Sequence, residues 1–292
     1  MQMKSRILFL FVLALLMTAA NAPAETVFQK FDSDPTLSDP NWTNSTTDHT
    51  GPGTGTDPDS YYTYDPNGYL LARGTRNPLA ENQERYVKQL SQAYEPNNIS
   101  NLWVEFDTMG AGGGTWQELQ VGLFGDGQNN QDFFGDFPVK RNAGTGGMTI
   151  SSMNAEHKLR AYDEAVKAYP GTLLTDTYAS DGYVVDTYPW TTTAFRVKMH
   201  FWRDSTNACW GRMDVYVLTY PNTESGSAIT TGDVQLTADA NVFGSFKYLG
   251  IGNPYLLANA GDNLSQTNLI DNLYFSTDGP NPSTVAPSFF SP

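Results

Sequence analysis

The chain has 292 residues and a formal net charge of −14, with 31 carboxylates against 17 Lys and Arg. This acidic balance makes nucleic acid and anionic membranes poor partners, because both repel a negative surface. The only cysteine, Cys209, has no partner for an internal disulfide, so a hydrophobic core must hold the fold. The length suits one β domain.

The first 24 residues have the three-part pattern of a secretory signal. Lys4 and Arg6 precede an apolar run at residues 7–17, which is too short to span a bilayer. The triplet Ala22-Pro23-Ala24 suits a signal peptidase and leaves Glu25 as the first mature residue. We therefore expect a chain that is released to the periplasm, the cell surface or the medium.

Turn-forming residues recur about every ten positions between short runs rich in Val, Phe, Tyr, Leu and Trp, which is typical of many strands joined by turns. The pattern predicts strands at residues 26–31, 61–64, 69–72, 86–90, 102–107, 118–124, 148–152, 158–162, 183–187, 194–202, 212–219, 247–251 and 269–276. Residues 33–59 are rich in Thr, Gly, Pro and Asp, which predicts a long surface loop.

Two segments, residues 80–94 and 155–169, have enough Ala, Glu, Lys and Gln to suit helices. We interpret the first as a strand and leave the second open. Residues 25–277 then form one domain, and residues 278–292, rich in Pro and Ser, form a flexible C-terminal tail. The predicted fold class is all-β, a two-sheet antiparallel β-sandwich of the jelly-roll type.

Four of these strands alternate apolar and polar residues, so each shows one side to a core and the other to water. The apolar sides are Leu102/Val104/Phe106, Leu119/Val121/Leu123, Phe195/Val197/Met199/Phe201 and Met213/Val215/Val217. The polar sides include the candidate ligand-binding residues Trp103, Glu105, Asp107, Gln120, Arg196, His200, Trp202, Arg212 and Tyr216. If these strands are neighbours, the polar residues share one sheet face.

Such a face has two interpretations. It is either an ordinary solvated surface, whose opposite charges pair across strands for well under ~1 kcal/mol each, or a carbohydrate platform. In a platform, Trp rings stack on the apolar faces of sugars while Arg, Gln and Asp bind the hydroxyls. The expected partner is then a polysaccharide or a cell-surface glycan.

Several segments resemble the concanavalin-A-like lectin/glucanase superfamily, most of all the LamG-type jelly-roll domains of exported bacterial proteins. They are residues 28–34, 101–107, 195–202, 248–253 and the closing run 269–276, Leu-Ile-Asp-Asn-Leu-Tyr-Phe-Ser. The resemblance implies two packed antiparallel sheets, with the last strand beside the first and one face available for glycans. It also implies that Asp32, Asp34 and Asp271 are candidate ligands of a structural Ca²⁺, since oxygens suit that ion. The alternative is that Asp271 only satisfies backbone groups at a strand edge.

Two enzyme classes share this fold. Laminarinase-like hydrolases need carboxylates in the pattern Glu-x-Asp-x-x-Glu, but here Glu105 and Asp107 are followed by Gly110, so that mechanism does not transfer. A polysaccharide lyase needs a base and groups that neutralise a uronate, for which the candidate catalytic residues are His200, Tyr216, Arg196 and Gln120.

Whether the chain is an enzyme stays open at this point. A secreted lectin-like protein without catalytic activity is the favoured function, with a lyase or glycoside hydrolase as the alternative and a structural extracellular protein without a ligand as a third. Binding requires exposed Trp103 and Trp202, lysis requires His200 and Tyr216 within reach of one another, and the structural role requires neither.

Overall fold

The computed structural model describes residues 24–44, 60–75, 85–94, 101–113, 116–118, 120–125, 133–136, 139–142, 153–156, 159–162, 193–238, 246–252, 265–283 and 285–290. These residues are mostly β-strand, with short 3₁₀ helices at Pro35–Leu37 and Ser288–Phe290. Within these ranges no helix has the length and apolar character needed to cross a membrane.

The strands are β1 (Thr26–Gln29), β2 (Trp42–Asn44), β3 (Ser60–Asp65), β4 (Tyr69–Thr75), β5 (Arg85–Tyr94), β6 (Asn101–Gly113), β7 (Trp116–Glu118), β8 (Gln120–Phe124), β9 (Phe133–Asp136), β10 (Val139–Asn142), β11 (Met153–Glu156), β12 (Leu159–Tyr162), β13 (Ala194–Arg203), β14 (Cys209–Thr219), β15 (Thr223–Thr230), β16 (Val234–Thr237), β17 (Phe246–Gly252) and β18 (Ser265–Ser276).

The strands form two large sheets and one small one. The nine-stranded sheet runs β15-β14-β13-β6-β18-β4-β3, with β1 paired to β18 and β16 paired to β14. The six-stranded sheet runs β12-β9-β8-β17-β5-β2, and the small sheet runs β11-β10-β7. Neighbours are antiparallel, and the last strand lies beside the first, with Val27 opposite Phe275. This confirms the predicted two-sheet antiparallel β-sandwich of the jelly-roll type.

The core lies between the two large sheets. One continuous cluster of buried apolar side chains includes Leu102, Val104 and Phe106 of β6, Phe195, Val197, Met199 and Phe201 of β13, and Val121, Leu123, Leu249 and Ile251 of the six-stranded sheet. The predicted apolar sides of β6, β13 and β14 therefore face inward. By alternation, their polar sides face outward from the nine-stranded sheet.

The predicted loop at residues 33–59 is corrected at β2, which pairs with β5. Trp42 opens this strand and is buried, with its ring centroid 5.4 Å from that of Tyr86 and 6.1 Å from that of Phe31. A large aromatic side chain stabilises this strand by burial, and the polar residues around it concealed that signal.

Within the segment 80–94, β5 confirms the strand interpretation for Arg85–Tyr94, and residues 80–84 lie outside the described residues. In the segment 155–169, the described residues belong to strands β11 and β12. The predicted strands at 148–152 and 183–187 lie outside the described residues. Strand β15 is not predicted from the sequence, because Thr, Ser, Gly and Glu dominate it and hide the strand pattern. Strand β16, Val-Gln-Leu-Thr, is not predicted either.

Candidate functional site: the outer face of the nine-stranded sheet

The register of β6, β13 and β14 sets the predicted polar residues in rows across the outer face. The rows are Asn101, Trp202 and Trp210; Trp103, His200 and Arg212; Glu105, Lys198 and Asp214; and Asp107, Arg196 and Tyr216. Successive rows are two residues apart, or roughly 7 Å. The sequence leaves open whether the four alternating strands are neighbours; three of them, β6, β13 and β14, are neighbours in the structure.

The first two rows form what we call the aromatic end, made of Trp103, His200, Trp202 and Trp210. The Trp103 and His200 rings are stacked, with centroids 4.6 Å apart and planes 8° from parallel. His200 also stacks on Trp202 at 4.7 Å, and Trp202 lies 6.5 Å from Trp210 with planes 11° apart. All four side chains are half-buried, so this row of rings is open to solvent along its outer edge.

Polar contacts hold this row in place. His200 Nε2 lies 2.8 Å from Asn101 Oδ1, which fits an imidazole that donates through Nε2. Burial lowers the pKa of His200; the nearby Asp233 charge raises it and the Arg212 charge lowers it. The imidazole is therefore neutral at neutral pH, which suits a ring stacked between two indoles.

The last two rows form the charged end, made of Glu105, Asp107, Arg196 and Lys198 together with Asp271 and Asn272 of β18. Arg196 donates through Nε to Asp107 Oδ1 and through Nη2 to Asp107 Oδ2, both at 2.8 Å. Asp107 is fully buried and also accepts from Asn272 Nδ2 at 2.8 Å. Such bidentate geometry compensates for the cost of burying the two charges.

The C-terminal segment covers the charged end. Asn281 N donates to Glu105 Oε1 at 2.7 Å, Ser288 N donates to Asp271 Oδ2 at 2.6 Å, and Arg196 Nη2 donates to Val285 O at 3.2 Å. Composition predicts a flexible tail for residues 278–292. In the structure, backbone groups of the segment are instead the partners of buried side chains of the sheet.

Coverage by this segment shifts the acid-base behaviour of the charged end. Burial raises the pKa of Glu105 and raises that of Asp271 to about 7; the N–H donor from the tail opposes the rise in each. Burial by itself lowers the pKa of Arg196, but the Asp107 carboxylate outweighs it and the net pKa rises. The guanidinium is therefore permanently charged.

Two predicted site residues are not where the lyase hypothesis needs them. Gln120 begins β8 in the six-stranded sheet, whereas Arg196 belongs to the nine-stranded sheet, so the shared face that the lyase hypothesis requires does not include Gln120. Alternation identifies the apolar side of a strand but not the sheet to which it belongs. Tyr216 is opposite Arg196, and His200 is opposite Arg212. The positions of His200 and Tyr216 are therefore four residues apart along the strands, or roughly 13 Å.

The sequence pattern does not identify Trp210, because the strand that it predicts begins only at Arg212. Extending the alternation by two residues places Trp210 on the same side as Arg212 and Asp214. The Gly211 between them broke the apolar pattern, although Gly211 is buried on the core side. Extending the alternating pattern of the strand through Gly211 would have identified Trp210 as a residue of the outer face.

The candidate calcium ligands have other roles here. Asp34 Oδ1 accepts from Thr36 N at 2.9 Å and from the Tyr86 hydroxyl at 3.1 Å. Asp271 accepts from Ser288 N and from Asn272 N. Among the described residues, no three acidic, histidine or cysteine side chains are grouped so that they could hold a metal ion. Calcium binding by Asp32, Asp34 and Asp271 stays a prediction.

Comparisons with known proteins give structural similarity only. No family model matches the chain, and no curated protein matches it. The alginate lyase Aly36B aligns over 86% of this chain and 96% of its own, at 10% identity and a TM-score of 0.39. The basic winged bean lectin with Tn-antigen aligns over 87% of this chain and 98% of its own, at 11% identity and a TM-score of 0.40. The cellulose induced protein Cip1 aligns over 86% of this chain and 97% of its own, at 13% identity and a TM-score of 0.40. Similarity this low identifies neither a ligand nor an activity for this chain.

Proposed function

We propose that this protein binds a neutral glycan at the aromatic end of its outer sheet face, without catalysis. The observation that carries the proposal is the row of four half-buried rings on one open face. Exposed aromatic rings are rarely clustered on a soluble protein unless they serve a contact. Their apolar surfaces match the C–H faces of sugar rings.

The spacing of the row indicates where a sugar would bind. Trp103, His200 and Trp202 are stacked at 4.6 and 4.7 Å, so their facing surfaces cover one another. Trp202 and Trp210 are parallel but 6.5 Å apart, which leaves ring surface that the other does not cover. The ligand therefore contacts the Trp202–Trp210 end of the row most closely.

Charge favours a neutral ligand over a uronate. Arg212 is opposite His200, and its Nε donates to both Asp214 oxygens at 3.0 and 3.1 Å. Asp233 Oδ1 also lies 3.8 Å from Arg212 Nη1. With its charge already balanced by these carboxylates, and with the whole chain acidic, Arg212 gives little attraction for a polyanion.

The absence of catalysis is supported by how the candidate acids and bases are occupied. Asp107 is held by Arg196, Glu105 accepts from the tail, and His200 is stacked between two rings. The roughly 13 Å between the His200 and Tyr216 positions is too great for one proton-transfer site. We also propose, from the leader pattern, that the protein meets polysaccharide or cell-surface glycan outside the cytoplasm.

The test is a pull-down of the mature protein on a panel of neutral and acidic polysaccharides, followed by titration calorimetry on those that bind. We expect binding to a neutral polysaccharide that is lost in Trp202→Ala and retained in Tyr220→Ala. Tyr220 is a matched control because it is an aromatic residue, 70% exposed and outside the row.

Three results would overturn the proposal. One is the absence of binding to every polysaccharide, which favours the structural role. Another is binding that Trp202→Ala leaves unchanged. The third is unsaturated uronate product released from an acidic polymer and abolished in His200→Ala, which would establish the lyase. Repeating the assay with calcium and with chelator tests the predicted calcium site separately.

A further inference from the structure

The hairpin turn between β13 and β14 contains Asp204, whose two carboxylate oxygens accept hydrogen bonds from different groups. Asp204 Oδ1 accepts from Thr206 N at 2.8 Å, from Thr206 Oγ1 at 2.6 Å and from Ala208 N at 3.1 Å. Its second oxygen, Oδ2, accepts from the indole nitrogen of Trp210 at 2.8 Å. One oxygen closes the turn and the other orients the ring.

The backbone at Trp210 also departs from a regular ladder. The pairing of β14 with β16 shifts register between Cys209 and Trp210. Such a bulge changes the direction of the side chain that follows it. The ring that results is nearly parallel to Trp202 and 6.5 Å away, whereas the other pairs in the row are in closer contact.

We infer that Asp204 is a positioning residue for glycan binding, because it holds Trp210 beside Trp202 so that their uncovered surfaces are ready for a sugar ring. This inference rests on the proposed function. A tryptophan at the start of a strand has torsional freedom about χ1 and χ2, and a hydrogen bond to a charged oxygen removes it before the ligand arrives. Preorganisation of this kind lowers the entropic cost of binding.

Only a carboxylate suits this position. Asparagine keeps one oxygen, which can serve the turn, but presents an NH₂ group to the indole N–H, so two donors face each other. Asp204→Asn therefore removes the hydrogen bond from the Trp210 indole while preserving most hydrogen bonds of the turn. Trp210→Phe removes the indole N–H while leaving Asp204 in place.

The first test uses the full mature chain without ligand. The near-ultraviolet circular dichroism contributed by Trp210 is the difference between the wild type and Trp210→Phe. We expect Asp204→Asn to lose most of this contribution, and the double variant to resemble Trp210→Phe alone. Thr206→Val is the matched control, since it weakens the turn at Oδ1 without touching the indole, and should keep the signal.

The second test measures affinity for the neutral polysaccharide that the wild type binds. We expect Asp204→Asn to bind about tenfold more weakly, on the scale of one charged hydrogen bond, when affinity is measured well below the unfolding midpoint of the variant. Asp233→Asn, which removes an exposed carboxylate near Arg212, should bind as the wild type does.

The outcomes separate the two proposals. An unchanged near-ultraviolet spectrum in Asp204→Asn overturns the positioning role, whatever the wild type binds. Unchanged affinity in Asp204→Asn, with the wild type binding, overturns it too. A changed spectrum in a protein that binds no polysaccharide overturns the proposed function and leaves the orientation of Trp210 by Asp204 standing.

Discussion

The aromatic and charged ends of the outer face share strands β6 and β13, yet their chemistry differs. At the charged end Arg196 is 9% exposed and its guanidinium is bidentate on a buried carboxylate. At the aromatic end the Arg212 side chain is 45% exposed and pairs with Asp214 on its own strand. Among the described residues, backbone groups of the C-terminal segment are hydrogen-bonded to side chains of the charged end. Coverage, more than residue type, separates a structural ion pair from a surface pair.

The largest expected effect is at the covered ion pair. Arg196→Met should lower the free energy of unfolding by about 3–5 kcal/mol, because Asp107 is left buried and unpaired. Urea denaturation of the variant against the wild type measures it. The double variant Asp107→Leu/Arg196→Met should recover much of the loss, and a cost in Arg196→Met no larger than in Arg212→Ala would remove the distinction between the ends.

Removal of the covering segment comes next. A chain ending at Thr277 loses the N–H donors of Asn281 and Ser288 to carboxylates and the Val285 carbonyl. We expect a loss of about 2 kcal/mol in stability, the scale of one hydrogen bond to a charged group, since water replaces part of the set. Thermal unfolding measures the loss. Glycan affinity should stay unchanged, and a marked change in it would show that the ends are coupled.

The two ends should also respond oppositely to pH. Burial gives Asp271 a folded pKa of about 7, so the folded chain binds this proton more tightly than the unfolded chain and stability falls as pH rises from about 4 to 7. At the aromatic end, hydrogen bonds from Thr206 and Trp210 lower the pKa of Asp204 to about 2, so stability falls as pH drops from about 4 to 2.

Urea denaturation across pH, in chelator so that a bound cation does not contribute, measures both slopes. Asp271→Asn should reduce the fall in stability between pH values of about 4 and 7, to which the raised pKa of Glu105 also contributes, and should leave the fall below about pH 4 unchanged. Asp204→Asn should reduce the fall below about pH 4 and leave the other unchanged. Identical profiles for the three proteins would contradict the pKa assignments.

The smallest effect is expected at the exposed pair. Arg212→Ala should change the free energy of unfolding by less than about 1 kcal/mol, because solvent screens this side chain and its partners. Urea denaturation at low and high salt measures it. A loss above about 2 kcal/mol would show that the aromatic end is a buried network too.

Much of the outer face could be predicted from alternation alone. Residues at every second position of β6 and β13 share a side in any regular strand, so Trp103, Glu105 and Asp107 had to lie together, as did Arg196, His200 and Trp202. Local periodicity carries this information because it depends on near neighbours only. The last strand beside the first, which β18 and β1 confirm, was implied by the family resemblance and not by periodicity.

Other features depend on contacts between distant residues. The assignment of Gln120 to the second sheet, and the roughly 13 Å between the positions of His200 and Tyr216, follow from strand order and register, which no single strand encodes. The hydrogen bond from Asn281 to Glu105 spans 176 residues. A Pro- and Ser-rich composition gives no indication that backbone groups of such a segment form hydrogen bonds with buried side chains.

By itself, then, the sequence determined the all-β class and the sorting of residues into inner and outer sides, because backbone pleating imposes both locally. Only the tertiary structure decided which part of the outer face is closed and which is open. That decision depends on where the C-terminal segment packs, and packing is set by the whole molecule, since it requires buried donors and acceptors from distant strands to meet at hydrogen-bonding distance.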